Sequence, residues 1–197
     1  MLLVSFLSIY ILTDNMKVSI RLYILLIYFR TFYKDNNSYP LVKIANDGAG
    51  VKSILFLLPN SRKEAQMIAH FIKWNNHHSI QFNYLFHEKG LYYYEKIPKN
   101  QIITFNDNDV NYIGFIKNDI IRKKIGAKKF DAIVDLNQSY KDPLSISNLQ
   151  LKAGIKIGFE SPISHSLYTV VIQPNQNGFI ETNYQMIKRF LGIPSSE

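Results

Sequence analysis

Two short runs rich in aliphatic side chains, residues 53–58 (SILFLL) and 130–136 (FDAIVDL), limit the folds open to this chain. The first is wholly apolar after its serine and ends at a Pro-Asn-Ser turn, which is typical of a strand buried on both faces of a parallel sheet. Four other segments have the pattern or composition of strands: residues 80–86, 102–105, 155–159 and 168–172. Strands that alternate with helices predict a Rossmann-like, doubly wound, mainly parallel α/β sheet.

The segments between these strands carry the signals of helices. Ser61 can cap a helix after the first strand, with Glu64 three positions later as its capping-box partner. Apolar spacing and stop residues predict further helices over residues 110–125, 144–151 and 181–191. Residues 91–94 (LYYY) are expected to pack on the sheet as a helix or loop rather than to form a carbohydrate platform.

The first forty residues are predicted to form an apolar helical extension to a single domain that spans residues 52–194. Residues 1–12 are almost wholly apolar, but a membrane-spanning helix needs about 20 such residues. Residues 22–29 are apolar and lie between pairs of cations, which suits a helix in a membrane interface. Two alternatives stay open, a helix docked on the core and an untranslated stretch before a start at Met16.

Composition narrows the classes of partner and chemistry. The net charge of +8 favours phosphate-bearing partners, but the cations are dispersed and no RNA-binding aromatic motif accompanies them. We therefore do not expect nucleic acid to be the main partner. The chain has no cysteine, which excludes a disulfide framework and a thiolate nucleophile and fits a cytoplasmic location.

No metal site or cofactor is predicted. Residues 106–109 (NDND) resemble a calcium loop only superficially, because the glycine at the sixth position and the distal glutamate are missing. The five histidines lack the spacing of metal ligands, and we interpret them as structural or surface residues. No glycine-rich phosphate loop of either common type is present.

Three segments, in this order, resemble elements of the N-terminal domain of glycosyltransferase family nine, the heptosyltransferases of lipopolysaccharide core synthesis. Residues 130–137 (FDAIVDLN) are similar to that family's YDLVIDLQ strand. Residues 153–159 (AGIKIGF) resemble its GAKRRIGF element with a two-residue contraction, and residues 184–194 (YQMIKRFLGIP) resemble the Y..LL..LGIP that ends the acceptor domain. The resemblance covers roughly residues 52–194.

This resemblance implies an acceptor-side domain that acts in cell-envelope lipopolysaccharide or glycan assembly, in the cytoplasm or at the inner face of the membrane. The implied partner is an acceptor glycan or glycolipid. A nucleotide-sugar is implied only if another chain supplies a donor-type domain, because the family's second Rossmann-like domain does not follow residue 194 here. The rival hypothesis is a non-catalytic α/β binding or scaffold domain derived from the same fold.

One departure from the family bears on catalysis. The family has a Gly-Asp pair in the loop after its first strand, and that aspartate is taken as the base that activates the acceptor hydroxyl. The corresponding loop reads PNSRKE here, so Glu64 is the only nearby carboxylate and a weak catalytic candidate. Its role as a capping-box residue is the favoured interpretation.

The predicted ligand contacts follow two strands, because ligands of doubly wound sheets bind at the carboxyl ends of strands. Arg62 and Lys63 at a helix N-terminus can bind an acceptor phosphate, or they are simply exposed cations. Asp135 and Lys141, where the family commonly has a lysine, either contact the ligand or form an ion pair that pins the loop. The predicted substrate-binding residues are Asn60, Ser61, Arg62, Lys63, Asp135, Asn137 and Lys141.

Overall fold

The computed structural model describes Ile27 and residues 50–71, 80–112, 114–126, 128–140, 142–173 and 180–193. Apart from Ile27, the predicted N-terminal extension lies outside the described residues, so its interfacial helix stays a prediction. Among these residues, none of the helices combines the length and the hydropathy that a bilayer-spanning helix requires.

Among the described residues, six strands form one parallel sheet. They are β1 (Ser53–Leu57), β2 (Gln81–His87), β3 (Ile102–Phe105), β4 (Phe130–Asp135), β5 (Ala153–Phe159) and β6 (Val170–Ile172). Their order across the sheet is β3-β2-β1-β4-β5-β6, and every neighbouring pair is parallel. This is the strand order of Rossmann-like doubly wound folds, and it confirms the predicted fold class.

Helices cover both faces of this sheet. They are α1 (Arg62–Phe71), α2 (Asn118–Ile125), α3 (Pro143–Ser147), α4 (Ser164–Leu167) and α5 (Ile180–Leu191). On the first face, Ile54 and Phe56 of β1 belong to one buried cluster with Ile68 of α1 and Ile187 of α5. On the second face, Leu55 and Leu57 belong to another cluster with Ile125 of α2 and Leu144 of α3. Because β1 is buried on both faces, its sequence shows no polar alternation.

The predicted helix over residues 110–125 is wrong in its first half. Helix α2 begins only at Asn118 and ends at Ile125. Before α2 the chain forms a tight loop, closed by an antiparallel bridge between Val110 and Ile116. The side chain of Asn111 accepts a hydrogen bond of 3.0 Å from the backbone N–H four residues later. Gly114 adopts a φ of 94°, a conformation that favours glycine and interrupts a helix.

Helix α3 is also shorter than the predicted segment 144–151. Asp142 caps it by accepting a hydrogen bond of 2.8 Å from the N–H of Leu144, and Pro143 occupies its first turn. The hydroxyl of Ser147 donates to the carbonyl of Pro143 at 2.7 Å, a local bond that competes with continued helix. The chain therefore leaves the helix early and turns toward β5.

Candidate functional site

The centre of the sheet is the place where the strand order reverses. From β1 the chain goes to β2 and β3 on one side, whereas β4, β5 and β6 follow on the other side. Leu57, the last residue of β1, is in register with Asp135, the last residue of β4. The loops after both strands therefore begin at one edge, as predicted, and this switch point is where doubly wound sheets bind ligands.

The turn between β1 and α1 presents exposed polar side chains at this edge: Asn60, Ser61, Arg62 and Lys63. The carbonyl of Ser61 accepts the N–H of Ala65 at 2.8 Å, so α1 starts here. The Ser61 hydroxyl donates to Oε2 of Glu64 at 2.6 Å. This bond joins the two side chains directly, whereas a capping box uses backbone N–H groups, so it is a different contact and the capping-box role of Glu64 stays a prediction.

Tyr94 is a buried residue that anchors the turn between β1 and α1. Its hydroxyl donates to the carbonyl of Pro59 at 2.6 Å, and its ring packs against Phe86 of β2 with centroids 4.8 Å apart. Burial raises the pKa of Tyr94 well above its ordinary value, so the phenol stays protonated and remains a donor. The loop after β1 is therefore anchored to the segment that follows β2.

Asp135 lies beneath the edge rather than on its surface. Its carboxyl group is fully buried, and Oδ1 accepts the backbone N–H of Asn137 at 2.9 Å and the Nδ2 of the same residue at 2.7 Å. Oδ2 accepts the hydroxyl of Tyr168 at 2.7 Å. Burial raises the pKa of Asp135, and the hydrogen bonds from Tyr168 and Asn137 oppose that effect. In this arrangement Asp135 holds the loop after β4 in place.

The structure describes Asn137 but not Lys141. Asn137 is buried, and its Nδ2 also lies 3.4 Å from the carbonyl of Leu57, which ties the loop after β4 to β1. Lys141 lies outside the described residues, so its contact with a ligand and its ion pair with Asp135 both stay predictions. The structure thus brings Asn60, Ser61 and Asn137 to one edge of the sheet.

The contact between Tyr168 and Asp135 depends on a glycine in β5. The ring of Tyr168 lies over Gly158, and a Cβ at that position would come within 3.0 Å of three ring atoms. The missing side chain therefore leaves the space through which Tyr168 crosses β5 to reach β4. Sequence reasoning missed this arrangement, because Tyr168 and Asp135 lie 33 positions apart and share no local pattern.

Asp142 is a candidate that sequence reasoning missed. It is half-buried in the loop after β4, and burial raises its pKa. The charges of Asp135 and Glu64 raise that pKa further, whereas His87 opposes them. A half-buried carboxyl group whose pKa is raised at a switch point is a functional-site candidate. Its signal in the sequence was the Asp-Pro pair that begins α3.

His87, the last residue of β2, has a structural role. Its Nδ1 accepts the backbone N–H of Lys89 at 3.1 Å, and its Nε2 lies 3.0 Å from Oδ1 of Asp107. The hydrogen bonds from Lys89 and His87 lower the pKa of Asp107. Both ring nitrogens are thus engaged by the protein. In the part of the chain that the structure describes, no three His, Cys, Asp or Glu side chains are arranged to hold a metal ion.

The strand order and the polar edge together define a Rossmann-like α/β domain with a candidate ligand site after β1 and β4. Residues 29–193 match the sequence model of DUF6913, a family of unknown function, and the chain belongs to this family. No curated protein and no solved structure matches the chain.

Proposed function

We propose that this domain binds a phosphate-bearing glycan or glycolipid at the carboxyl edge of β1 and β4, as the acceptor-side part of a heptosyltransferase-like glycosyltransferase. The observation that carries the proposal is the polar turn at the switch point, with Arg62 and Lys63 exposed beside the half-buried carboxyl groups of Glu64 and Asp142. Cations and the N–H groups at a helix N-terminus suit a phosphate, and carboxylates accept hydrogen bonds from sugar hydroxyls.

For sugar transfer, the acceptor hydroxyl needs a base within hydrogen-bond reach. Asp142 suits this role better than Glu64, because burial raises its pKa and makes its carboxylate the stronger base. Both carboxyl groups have a local donor, since Glu64 accepts from the Ser61 hydroxyl and Oδ1 of Asp142 accepts from the N–H of Leu144, so the proposal assigns the proton to Oδ2 of Asp142. The hydroxyl proton would pass to the carboxylate while the hydroxyl oxygen bonds to the anomeric carbon and the nucleotide diphosphate departs. A nucleotide-sugar takes part only if another chain supplies a donor-type domain.

A second candidate function is binding without chemistry, as an α/β binding or scaffold domain. It is favoured by the missing Gly-Asp pair after β1 and by the complete burial of Asp135. The two candidates share the acceptor and differ in turnover. A transfer assay with a nucleotide-sugar, with and without a donor-type partner chain, separates them, since turnover supports the transferase and retained binding without turnover supports the binding domain.

We expect the double substitution Arg62→Ala/Lys63→Ala to weaken binding of phosphorylated lipopolysaccharide inner-core oligosaccharide by about tenfold or more, because hydrogen bonds to charged groups are stronger than neutral ones. The measurement is isothermal titration calorimetry at low ionic strength, where exposed charges are least screened. The dephosphorylated oligosaccharide should bind the variant and the wild type equally.

The matched control is Arg122→Ala/Lys123→Ala in the last turn of α2. These two cations are also exposed, so the change in net charge is the same. Helix α2 ends just before β4 begins, at the opposite edge of the sheet. Equal weakening by both pairs would mean that only net charge matters, and it would contradict a phosphate site after β1.

We further propose that the protein contacts the inner face of the membrane peripherally through its N-terminal extension. Deleting residues 1–34 should move the protein from the membrane fraction to the soluble fraction, because the apolar run at 22–29 and its flanking cations suit an anionic interface. Immunoblotting of fractionated cells measures this, and unchanged partitioning would contradict the membrane contact.

A further inference from the structure

An exposed apolar patch lies beside the turn that follows β1. Leu91 and Tyr92 are 45% and 78% exposed, and they belong to the 3-10 turn Glu88–Tyr93 that directly follows β2. Because β2 is parallel to β1, this turn lies at the same edge of the sheet as the candidate site. The ring of Tyr93 meets that of Tyr92 edge-on, with centroids 5.7 Å apart.

The turn that carries this patch is fixed to the candidate site. It packs against α1, and Tyr94 immediately after it donates to the carbonyl of Pro59 in the β1–α1 loop. Gly90 within the turn is buried, and a Cβ there would lie 3.4 Å from the rings of both Phe86 and Tyr94. Gly90 and Tyr94 are thus buried and anchor this segment, whereas Leu91 and Tyr92 are exposed. The expectation that residues 91–94 only pack on the sheet holds for Tyr94 but not for Tyr92.

We propose that Tyr92, together with Leu91, is a stacking platform for a sugar ring of the bound acceptor, while the phosphate of that acceptor lies at Arg62 and Lys63. This inference rests on the proposed function and names the part of the ligand that the patch contacts. One face of a sugar ring carries C–H groups, which pair with the electron-rich face of a tyrosine ring. A tyrosine loses little conformational freedom on binding, since it has only two side-chain torsions.

The charges around the patch favour a sugar over a membrane surface. Interfacial membrane segments combine apolar side chains with an excess of lysine and arginine, which attracts anionic lipid headgroups. Between residues 88 and 96 two acidic and two basic residues cancel: Glu88, Glu95, Lys89 and Lys96. The turn itself therefore carries no cationic surplus, and the two exposed cations of the neighbouring turn, Arg62 and Lys63, are assigned to the phosphate of the acceptor.

The test is calorimetric titration of the full chain with the phosphorylated inner-core oligosaccharide. Tyr92→Ala should weaken binding by about tenfold, because the contact of one aromatic ring is lost. Tyr92→Phe and Tyr92→Trp should bind within about twofold of the wild type, since the ring and not the hydroxyl makes the contact. The matched control is Tyr112→Ala, because Tyr112 is 93% exposed at the same edge of the sheet but follows β3, two strands away from β1, and its loss should leave binding within about twofold of the wild type.

The binding results separate the proposed stacking platform at Tyr92 from the proposed phosphate site at Arg62 and Lys63. If Tyr92→Ala binds as tightly as the wild type while Arg62→Ala/Lys63→Ala does not, the platform is wrong and the phosphate site stands. If the wild type binds neither form of the oligosaccharide, both proposals fall. A separate experiment measures sedimentation of the protein with anionic phospholipid vesicles that lack glycan. If Tyr92→Ala loses vesicle binding, the patch is a membrane contact and the proposed stacking platform is wrong.

Discussion

Replacing Gly158 with alanine is expected to lower the free energy of unfolding by about 3 to 5 kcal/mol, at the severe end of single substitutions. The added Cβ would overlap the ring of Tyr168, because three ring atoms lie within 3.0 Å of its position. The ring must move away, and Oδ2 of the buried carboxyl group of Asp135 then loses the hydrogen bond from the Tyr168 hydroxyl. Urea denaturation at neutral pH measures the loss.

Two further variants separate this cause from a general intolerance of alanine. At Gly90, also buried, a Cβ would lie 3.4 Å from its nearest neighbours, so Gly90→Ala should cost about 1 kcal/mol or less. The double variant Gly158→Ala/Tyr168→Ala should cost less than the sum of its two single substitutions, because the overlap disappears with the ring. Strict additivity, or equal losses at Gly158 and Gly90, would contradict the role of Gly158.

The second large effect is expected at Asp135. Replacing it with alanine should lower the free energy of unfolding by about 3 to 5 kcal/mol, because breaking a buried polar network leaves its remaining members unpaired. Tyr168 would lose the Asp135 acceptor of its hydroxyl, and Asn137 would lose the acceptor of its backbone N–H and the nearer of the two acceptors of its Nδ2. Urea denaturation measures this loss too.

The pH dependence of stability gives Asp135 a distinctive signature. Burial raises its pKa in the folded state above the unfolded value of about 3.9. Its contribution to stability is therefore fully present below that unfolded value, and it is lost as pH rises toward the folded pKa, by at most about 1.4 kcal/mol per pH unit. The stability of the wild type minus that of Asp135→Asn should fall as pH rises above about 4.

The difference measures Asp135 together with its charge coupling to Asp142, and both make the difference fall as pH rises. The pKa of Asp142 is raised as well, but Asp142 is present in both proteins, so its own burial cancels in the difference. A difference that increases with pH would show that the pKa of Asp135 is lowered by folding, and it would contradict the buried, hydrogen-bonded arrangement.

The sheet could be predicted from the sequence because its central strands are locally distinctive. Strand β1 lies within one residue of the predicted segment 53–58, and β4 lies within one residue of 130–136. Both strands are buried on both faces, which makes their apolar runs nearly continuous. Parallel pairing then follows from the helices between the strands, and with it the common edge for the loops after β1 and β4.

The loop before α2 shows where local turn chemistry overrides an apolar pattern. Val110, Phe115 and Ile116 suggested continuous helix because they are apolar, and the last two are indeed buried. They are buried from a closed loop, however, in which Asn111 binds the backbone and Gly114 takes a positive φ. Asparagine and glycine at these positions are typical turn residues, and they outweigh the apolar spacing.

The environment of the candidate site could not be predicted, because it depends on contacts between distant segments. Nothing near Asp135 in the sequence shows that Tyr168 covers it or that Gly158 makes room for that ring. The raised pKa of Asp142 likewise depends on Asp135 and Glu64, which only folding brings near it. The sequence therefore predicted the edge of the sheet that carries the candidate site, whereas the burial of its carboxyl groups and the direction of their pKa shifts required the structure.

The most direct test of a ligand site after β1 and β4 is an NMR titration of the ¹⁵N-labelled full chain with the phosphorylated inner-core oligosaccharide. The largest amide shifts are expected at Asn60 to Glu64, at Asn137 and Asp142, and at Tyr92, all at the carboxyl edge. Shifts confined to α2 and the amino edge, or no shifts at all at millimolar ligand, would contradict a glycan site at that edge.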